Sequence, residues 1–121
     1  IQELTAIAKS FDYSVQVIDV PNSTLHLTTV CSVPRNGVLI AAEGHLKPEQ
    51  INGFEEVIWI PNNETYASNT IAMENGMMLV STGFPITKQR VEAAGFEVVL
   101  VEMEEIMQAD GSLTCLSLFI E

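Results

Sequence analysis

The stretch Asn36-Gly37-Val38-Leu39-Ile40-Ala41-Ala42 joins a tight-turn dipeptide to a run of apolar residues. Asparagine followed by glycine favours the two-residue turn of a β-hairpin, because both residues tolerate positive φ angles. The same pattern returns 39 residues later, where Asn75-Gly76 precedes Met77-Met78-Leu79-Val80-Ser81. A hairpin signal that recurs at a fixed interval indicates a repeated structural unit.

The residues that follow the two hairpins also correspond. Gly44 and Gly83 are again 39 residues apart, and Gly53-Phe54 recurs as Gly95-Phe96 with three additional residues in between. Each interval contains a proline that suits the first turn of a helix, followed later by a glycine that suits its end. The order predicts a strand–strand–helix–strand unit of about forty residues.

Apolar periodicity and turn signals assign the remaining elements. We predict helices over 2–11, 47–51 and 85–94, and strands over 15–20, 25–30, 38–42, 56–60, 69–73, 77–81 and 97–101. The single domain 1–121 is then a partial repeat at 1–20, whole repeats at 21–61 and 62–102, and a final strand at 113–120. Repeats bury their apolar faces against neighbours, so we expect part of a larger propeller-like ring, or a chain that associates to complete one.

The composition excludes several classes of partner. With 16 acidic and 5 basic residues the net charge is −11, which repels nucleic acids and anionic membrane surfaces, so we expect no nucleic acid and no membrane partner. The sequence shows neither an apolar run of membrane-spanning length nor a signal-peptide pattern. We therefore expect a cytoplasmic protein in which Cys31 and Cys115 are reduced, with Cys31 a small core residue.

Two reactive side chains occupy matching places in the predicted repeat. His26 lies near the start of the strand over 25–30, and Cys115 lies near the start of the strand over 113–120, after the turn at Asp110-Gly111. In a closed ring such strand ends converge near the axis, so we expect the two residues to meet. A thiolate is a nucleophile and an imidazole transfers protons near neutral pH. A lone strand cysteine is also commonly an inert core thiol, and that interpretation stays open.

The segments Leu25-His26-Leu27-Thr28-Thr29-Val30 and Asp110-Gly111-Ser112-Leu113-Thr114-Cys115-Leu116-Ser117 resemble the histidine and cysteine motifs of dimethylarginine dimethylaminohydrolase. That enzyme belongs to the guanidino-group-modifying superfamily, together with arginine deiminase and the amidinotransferases. The resemblance implies a pentein fold, an α/β propeller of five strand–strand–helix–strand units, and this chain would correspond to its C-terminal half.

The same resemblance implies covalent catalysis on a small guanidino substrate. Cys115 would attack the guanidinium carbon and His26 would serve as the acid and base, giving a ureido product such as citrulline. The segment Ala109-Asp110 would contact the amino-acid end of the substrate. No metal and no organic cofactor is implied.

The family's guanidinium-binding acids and carboxylate-binding arginines lie mainly in the N-terminal half, so three carboxylates here are interpreted as solvated: Glu43, Glu64 and Glu74.

Two alternatives to dimethylarginine hydrolysis remain. One is a non-catalytic pentein fragment that binds a ligand or self-associates as a homo-oligomer through its open ends. The other is arginine deiminase or amidinotransferase activity.

Overall fold

A computed structural model describes residues 1–120 and contains two three-stranded sheets with the same topology. The strands are β1 (Cys31–Arg35), β2 (Val38–Ala42), β3 (Glu56–Ile60), β4 (Ile71–Ala72), β5 (Met77–Ser81) and β6 (Glu97–Val101). The α-helices are α1 (Gln2–Ser10), α2 (Pro85–Ala93) and α3 (Glu104–Gln108). Short 3₁₀ helices cover Leu27–Thr29, Pro48–Gln50, Asn62–Ser68 and Leu113–Leu116.

Each sheet is a hairpin to which a third strand adds in parallel. β1 pairs with β2 antiparallel and β2 with β3 parallel, and β4, β5 and β6 repeat that arrangement. The crossover to β3 contains only the 3₁₀ turn Pro48–Gln50, whereas the crossover to β6 contains the helix α2. The predicted order of two strands, a helix and a strand is thus present in both copies, but the first copy has a shortened helix, and its opening strand is Cys31–Arg35 and not 25–30.

The main core lies where the two sheets and α2 meet. Its buried members are Val38, Ile40, Ile58, Ile60, Met78, Val80, Val91 and Phe96. All five residues of β2 are buried, which explains its uninterrupted apolar sequence, since a strand covered on both faces has no solvated side. Full burial of one such large apolar side chain stabilises the fold by about 1.5–3 kcal/mol.

Three strand predictions are wrong. The segment 15–20 has no regular structure, 25–30 contains the 3₁₀ turn Leu27–Thr29, and 113–120 contains the 3₁₀ turn Leu113–Leu116. The apolar and β-branched residues there suit strands, but strand propensity takes effect only against a pairing partner. Among residues 1–120 no strand of either sheet includes these segments, and 25–30 and 113–120 form local turn hydrogen bonds instead.

The terminal segments leave large apolar side chains in solvent. Helix α1 is formed as predicted, yet its periodic residues Leu4, Ile7 and Phe11 are 62%, 59% and 70% exposed. At the other end Leu118 is 93% exposed and Phe119 is 75% exposed. Within the described part of the chain, no helix has the length and apolar character needed to cross a bilayer.

Glu64 corrects the expectation of a solvated carboxylate. Its side chain is only 5% exposed and caps the N-terminus of α2 from a different element. One carboxylate oxygen accepts the Ile86 N–H at 3.1 Å, and the other accepts the Thr87 N–H and hydroxyl, both at 2.7 Å. Helix N-termini leave unpaired N–H donors and a positive dipole end, so a buried anion is stabilised there. Glu43 and Glu74 are exposed, as predicted.

Replacement of Glu64 should destabilise the fold. Glu64→Ala removes three charge-assisted hydrogen bonds and leaves buried donors at the start of α2, so we expect the free energy of unfolding to fall by about 3 kcal/mol. Urea denaturation measures this, with Glu74→Ala in the exposed hairpin as the matched control, expected within about 0.5 kcal/mol of the native protein. Equal stability of the two variants would contradict the capping role.

Candidate active site

His26 immediately precedes a tight turn and is not part of a strand. It is extended, with φ −136° and ψ 155°, and its carbonyl accepts the Thr29 N–H at 3.1 Å. The Val30 N–H donates to the Leu27 carbonyl, which closes the 3₁₀ turn Leu27–Thr29. The chain then enters β1 directly at Cys31, so the position of the imidazole is set by the turn that feeds the first hairpin.

Cys115 lies in the 3₁₀ turn Leu113–Leu116, and its N–H donates to the Ser112 carbonyl at 3.0 Å. Leu113 anchors this turn because its side chain is buried against Ile71 and Met103. The thiol itself is exposed. The turn is therefore anchored in the core through Leu113 and presents the thiol outward.

The segment before this turn reverses direction at the end of α3. The Asp110 N–H bonds to the Met107 carbonyl and the Gly111 N–H to the Ile106 carbonyl, the bonding of a Schellman motif. Asp110 takes the left-handed conformation at φ 58°, a region that aspartate tolerates better than most residues. A Cβ at Gly111 would lie 2.7 Å from the Ile106 side chain, so this close approach requires glycine.

Two side chains from the second repeat hold these turns. The Tyr66 hydroxyl donates to the Gly111 carbonyl at 2.8 Å. The Asn69 amide donates to the Thr28 carbonyl and to the Thr114 hydroxyl, and its oxygen accepts the Thr114 N–H. The segment between Asn62–Ser68 and β4 thus connects the turn after His26 with the turn that carries Cys115.

His26 and Cys115 line one cavity of about 210 Å³. Its walls are Leu25, His26, Thr29, Tyr66, Asn69, Met107, Asp110, Gly111, Ser112 and Cys115. The structure therefore brings together three of the residues singled out in the sequence, His26, Asp110 and Cys115. Ala109, the fourth, is an exposed residue at the end of α3 and is not among the lining residues.

The two thiols have opposite electrostatic environments. The Ser112 hydroxyl, 3.2 Å from the sulfur, lowers the pKa of Cys115, and backbone N–H groups of the turn add to the effect. Burial raises the pKa of Cys31, which packs in the core as predicted. Burial also raises the pKa of Tyr66, with a further contribution from the negative charge of the Cys115 thiolate. Reactive cysteines are exposed and have a lowered pKa, a description that fits Cys115 alone.

Sequence reasoning missed Tyr66, Asn69 and Ser112 as parts of the site. Ser112 lies three residues before Cys115, a spacing that brings side chains together in a 3₁₀ turn, but a strand was predicted there. Tyr66 and Asn69 reach the cavity only through the packing of the second repeat against both turns. Among residues 1–120 no group of three or more His, Cys, Asp or Glu side chains could hold a metal ion.

The fold and cavity define an α/β repeat protein with an exposed thiol and an imidazole in one pocket. The dimethylarginine dimethylaminohydrolase of Pseudomonas aeruginosa is 31% identical to this chain over 120 residues, which are 97% of the chain and 45% of that enzyme. A Cys-to-Ser variant of the same enzyme, solved with citrulline, matches with a TM-score of 0.82 and 30% identity, over 94% of this chain and 44% of that one.

An amidinotransferase of the saxitoxin pathway from Microseira wollei also has a TM-score of 0.82, at 15% identity, over 99% of this chain and 38% of that one. At this identity the likeness concerns the fold alone. No family model matches the sequence. The chain belongs to the dimethylarginine dimethylaminohydrolase and amidinotransferase (pentein) superfamily. It spans less than half the length of the curated relatives it matches.

Iodoacetamide should alkylate Cys115 and spare Cys31 in the folded protein, because only the former is exposed and has a lowered pKa.

Ser112→Ala removes the nearest hydrogen-bond donor, so the pKa of Cys115 should rise toward its ordinary value. The thiolate fraction, and with it the alkylation rate, then falls at neutral pH and recovers at high pH. Mass spectrometry of each cysteine peptide across pH measures both rates.

Ser117→Ala is the matched control, because its hydroxyl bonds the Leu113 carbonyl in the same turn and not the sulfur. Its pH profile should overlay that of the native protein. A Ser112→Ala profile that also overlays it would show that this hydroxyl does not stabilise the thiolate.

Proposed function

We propose that this chain supplies the nucleophile and the acid–base residue of an enzyme that hydrolyses a guanidinium group, with methylated arginine as the favoured substrate. The observation that carries the proposal is the shared cavity of His26 and Cys115. The similarity to dimethylarginine dimethylaminohydrolase supports it.

In the proposed reaction the Cys115 thiolate attacks the guanidinium carbon, and a carbon–sulfur bond forms. The tetrahedral adduct collapses by breaking one carbon–nitrogen bond, and the departing amine takes a proton from His26. His26, now neutral, removes a proton from water, which attacks the remaining thiouronium carbon. Collapse of the second adduct breaks the carbon–sulfur bond and restores the thiolate, and the added hydroxyl loses its proton to solvent as the neutral ureido product is released; the freed amine takes up a proton in water.

The geometry suits the first step. The thiol is exposed, and the Ser112 hydroxyl at 3.2 Å stabilises its charged form. The cavity wall contains one carboxylate, Asp110, and neither lysine nor arginine. A cationic group is therefore attracted into this site, and its own charge stabilises the thiolate that attacks it.

Further groups must complete the substrate site under this proposal. Asp110 is the only carboxylate among the lining residues, and no arginine is present there to bind a substrate carboxylate. We propose that additional polypeptide, either the rest of a longer chain or a second copy, supplies them by closing a five-unit propeller. In that ring the segments 1–20, 21–61, 62–102 and 113–120 are consecutive parts of successive units.

The uncovered apolar side chains favour a second candidate, a non-catalytic module that binds or self-associates. Another polypeptide could cover two exposed apolar surfaces. One is Leu4 and Ile7 on α1 with Phe11 directly after it, and the other is Leu118 and Phe119 near the C-terminus. This candidate differs from the first because binding or self-association does not require the Cys115 thiol.

Cys115→Ser should abolish release of citrulline from dimethylarginine, because an alcohol at this position is a far weaker nucleophile than a thiolate. We expect a loss of at least about 1,000-fold in kcat, which is typical of removing a nucleophile. A colorimetric assay for ureido products measures it on the intact protein.

Cys31→Ala is the matched control, since Cys31 is buried and lies outside the cavity, and the variant should retain activity wherever it remains folded. Arginine, and arginine with an amine acceptor, are assayed beside dimethylarginine to separate hydrolase, deiminase and amidinotransferase activities. Undiminished turnover by the Cys115→Ser variant would refute the covalent mechanism, whereas a native protein with no turnover of any of these substrates would favour the non-catalytic module.

A further inference from the structure

Asn69 is a polar side chain that is 1% exposed and lies between the two turns of the candidate site. Its amide nitrogen is 2.8 Å from the Thr28 carbonyl and 2.8 Å from the Thr114 hydroxyl. Its amide oxygen is 3.0 Å from the Thr114 nitrogen. Thr28 is two residues after His26, and Thr114 directly precedes Cys115.

An amide is well suited to this place, because it offers two N–H donors and an acceptor from one planar group. The turn after His26 presents a carbonyl, which needs a donor. The turn with Cys115 presents both an N–H and a hydroxyl, which need an acceptor and a donor. Neither a hydroxyl nor a carboxylate could make all three contacts with these bonding roles.

The backbone around Asn69 is itself held in place. The Ser32 hydroxyl of β1 donates to the Ser68 carbonyl at 2.7 Å and lies 2.8 Å from the Thr70 hydroxyl. Ser68 and Thr70 are both buried. The residues on either side of Asn69 are thus hydrogen-bonded to the first hairpin. These bonds fix the backbone from which the Asn69 side chain extends.

Among residues 1–120 no direct hydrogen bond joins the turn of His26 to the turn of Cys115. Neither turn belongs to a sheet, and they lie 41 and 45 residues from Asn69 along the chain, in opposite directions. The Asn69 amide is therefore the shared hydrogen-bonding partner of two segments that lack strand pairing of their own.

We propose that Asn69 is a positioning residue, which couples the two turns and so fixes the imidazole of His26 relative to the thiol of Cys115. This inference rests on the proposed function for its catalytic consequence, whereas the coupling of the turns stands independently of it. Asn69 acts through the backbone of its neighbours and takes no part in bond making or breaking. A small displacement of a reacting group can lower a rate by about 100-fold, so a buried bridge of this kind governs kcat more than binding.

The test compares Asn69→Ala with Thr70→Val in the intact protein. Thr70→Val is the matched control, because it is isosteric and buried, removes only the Thr70 contact with Ser32 while the Ser32 bond to the Ser68 carbonyl remains, and eliminates no hydrogen bond to either turn. Thr114→Val is a graded variant that loses the hydroxyl contact and keeps the N–H contact with Asn69.

Amide hydrogen exchange reports on the coupling without any need for turnover. The informative amides are those of Thr29 and Val30 in one turn and of Thr114 and Cys115 in the other, all hydrogen-bonded in the native protein. Asn69→Ala should accelerate exchange in both turns by about tenfold or more, since its partners are left unpaired. Thr70→Val should leave these amides within about twofold of native rates.

Kinetics reports on the consequence. Asn69→Ala should lower kcat for the guanidino substrate by about 10- to 100-fold with KM within about twofold, and Thr114→Val should give a smaller loss. Iodoacetamide alkylation of Cys115 should stay within about twofold, because the Ser112 contact lies within its own turn. A merely structural role would lower stability without this separation of kcat from KM.

Equal exchange in the Asn69→Ala and Thr70→Val variants would overturn the coupling. Coupled exchange with an unchanged kcat would overturn the positioning role. A native protein that turns over no guanidino compound would refute the proposed function instead, and the exchange comparison would still decide whether Asn69 joins the two turns.

Discussion

The structure depends on where backbone groups can find a strand partner. In the described residues 1–120, strand ladders form only within each repeat, where a hairpin strand such as β2 or β5 lies between an antiparallel and a parallel neighbour. Outside the ladders, backbone N–H and C=O groups must form hydrogen bonds within their own segment or with side chains, because an unpaired polar group is costly to bury. The candidate site lies where the ladders stop. His26 and Cys115 lie at short turns, and the half-buried Tyr66 and the buried Asn69 supply hydrogen bonds to these turns in place of a neighbouring strand.

The same constraint explains which elements could be predicted from the sequence. The two Asn-Gly turns and the strands beside them follow from local signals, because hairpin geometry is encoded in adjacent residues. Helix α2 begins at Pro85 and ends just before Gly95, as its termini indicate. The segments 25–30 and 113–120 resemble strands equally well in composition, yet a strand also needs a partner, and partners are not visible in a short window. The prediction that Glu64 is solvated was wrong for a related reason. Its carboxylate caps a helix that is distant in sequence, and no local sequence pattern indicates such a contact.

For the site, the sequence singled out His26 and Cys115 but not the residues that hold their turns in place. His26 and Cys115 came from matched placement in the repeat and from resemblance to a family. The structure places them in one cavity, although the strand ends expected to carry them are turns. Ser112 contacts the Cys115 sulfur through one hydrogen bond, and Asn69 bonds the turns beside His26 and Cys115 through three. These contacts depend on the turn geometry and on the packing of separate segments. Such contacts cannot be read from residue types, because serine and asparagine are common in loops for many other reasons.

Charge at two length scales bears on the proposed chemistry. The net charge of −11 opposes thiolate formation everywhere on the chain, whereas the Ser112 hydroxyl favours it at one atom. The local contact prevails because Cys115 is exposed, and water and salt screen charges beyond about 8 Å at physiological ionic strength. At short range the Asp110 carboxylate in the cavity wall attracts a cation, and the wall has no lysine or arginine to repel it. A guanidinium substrate would therefore bring the positive charge that the thiolate lacks, so substrate binding and nucleophile ionisation would reinforce each other.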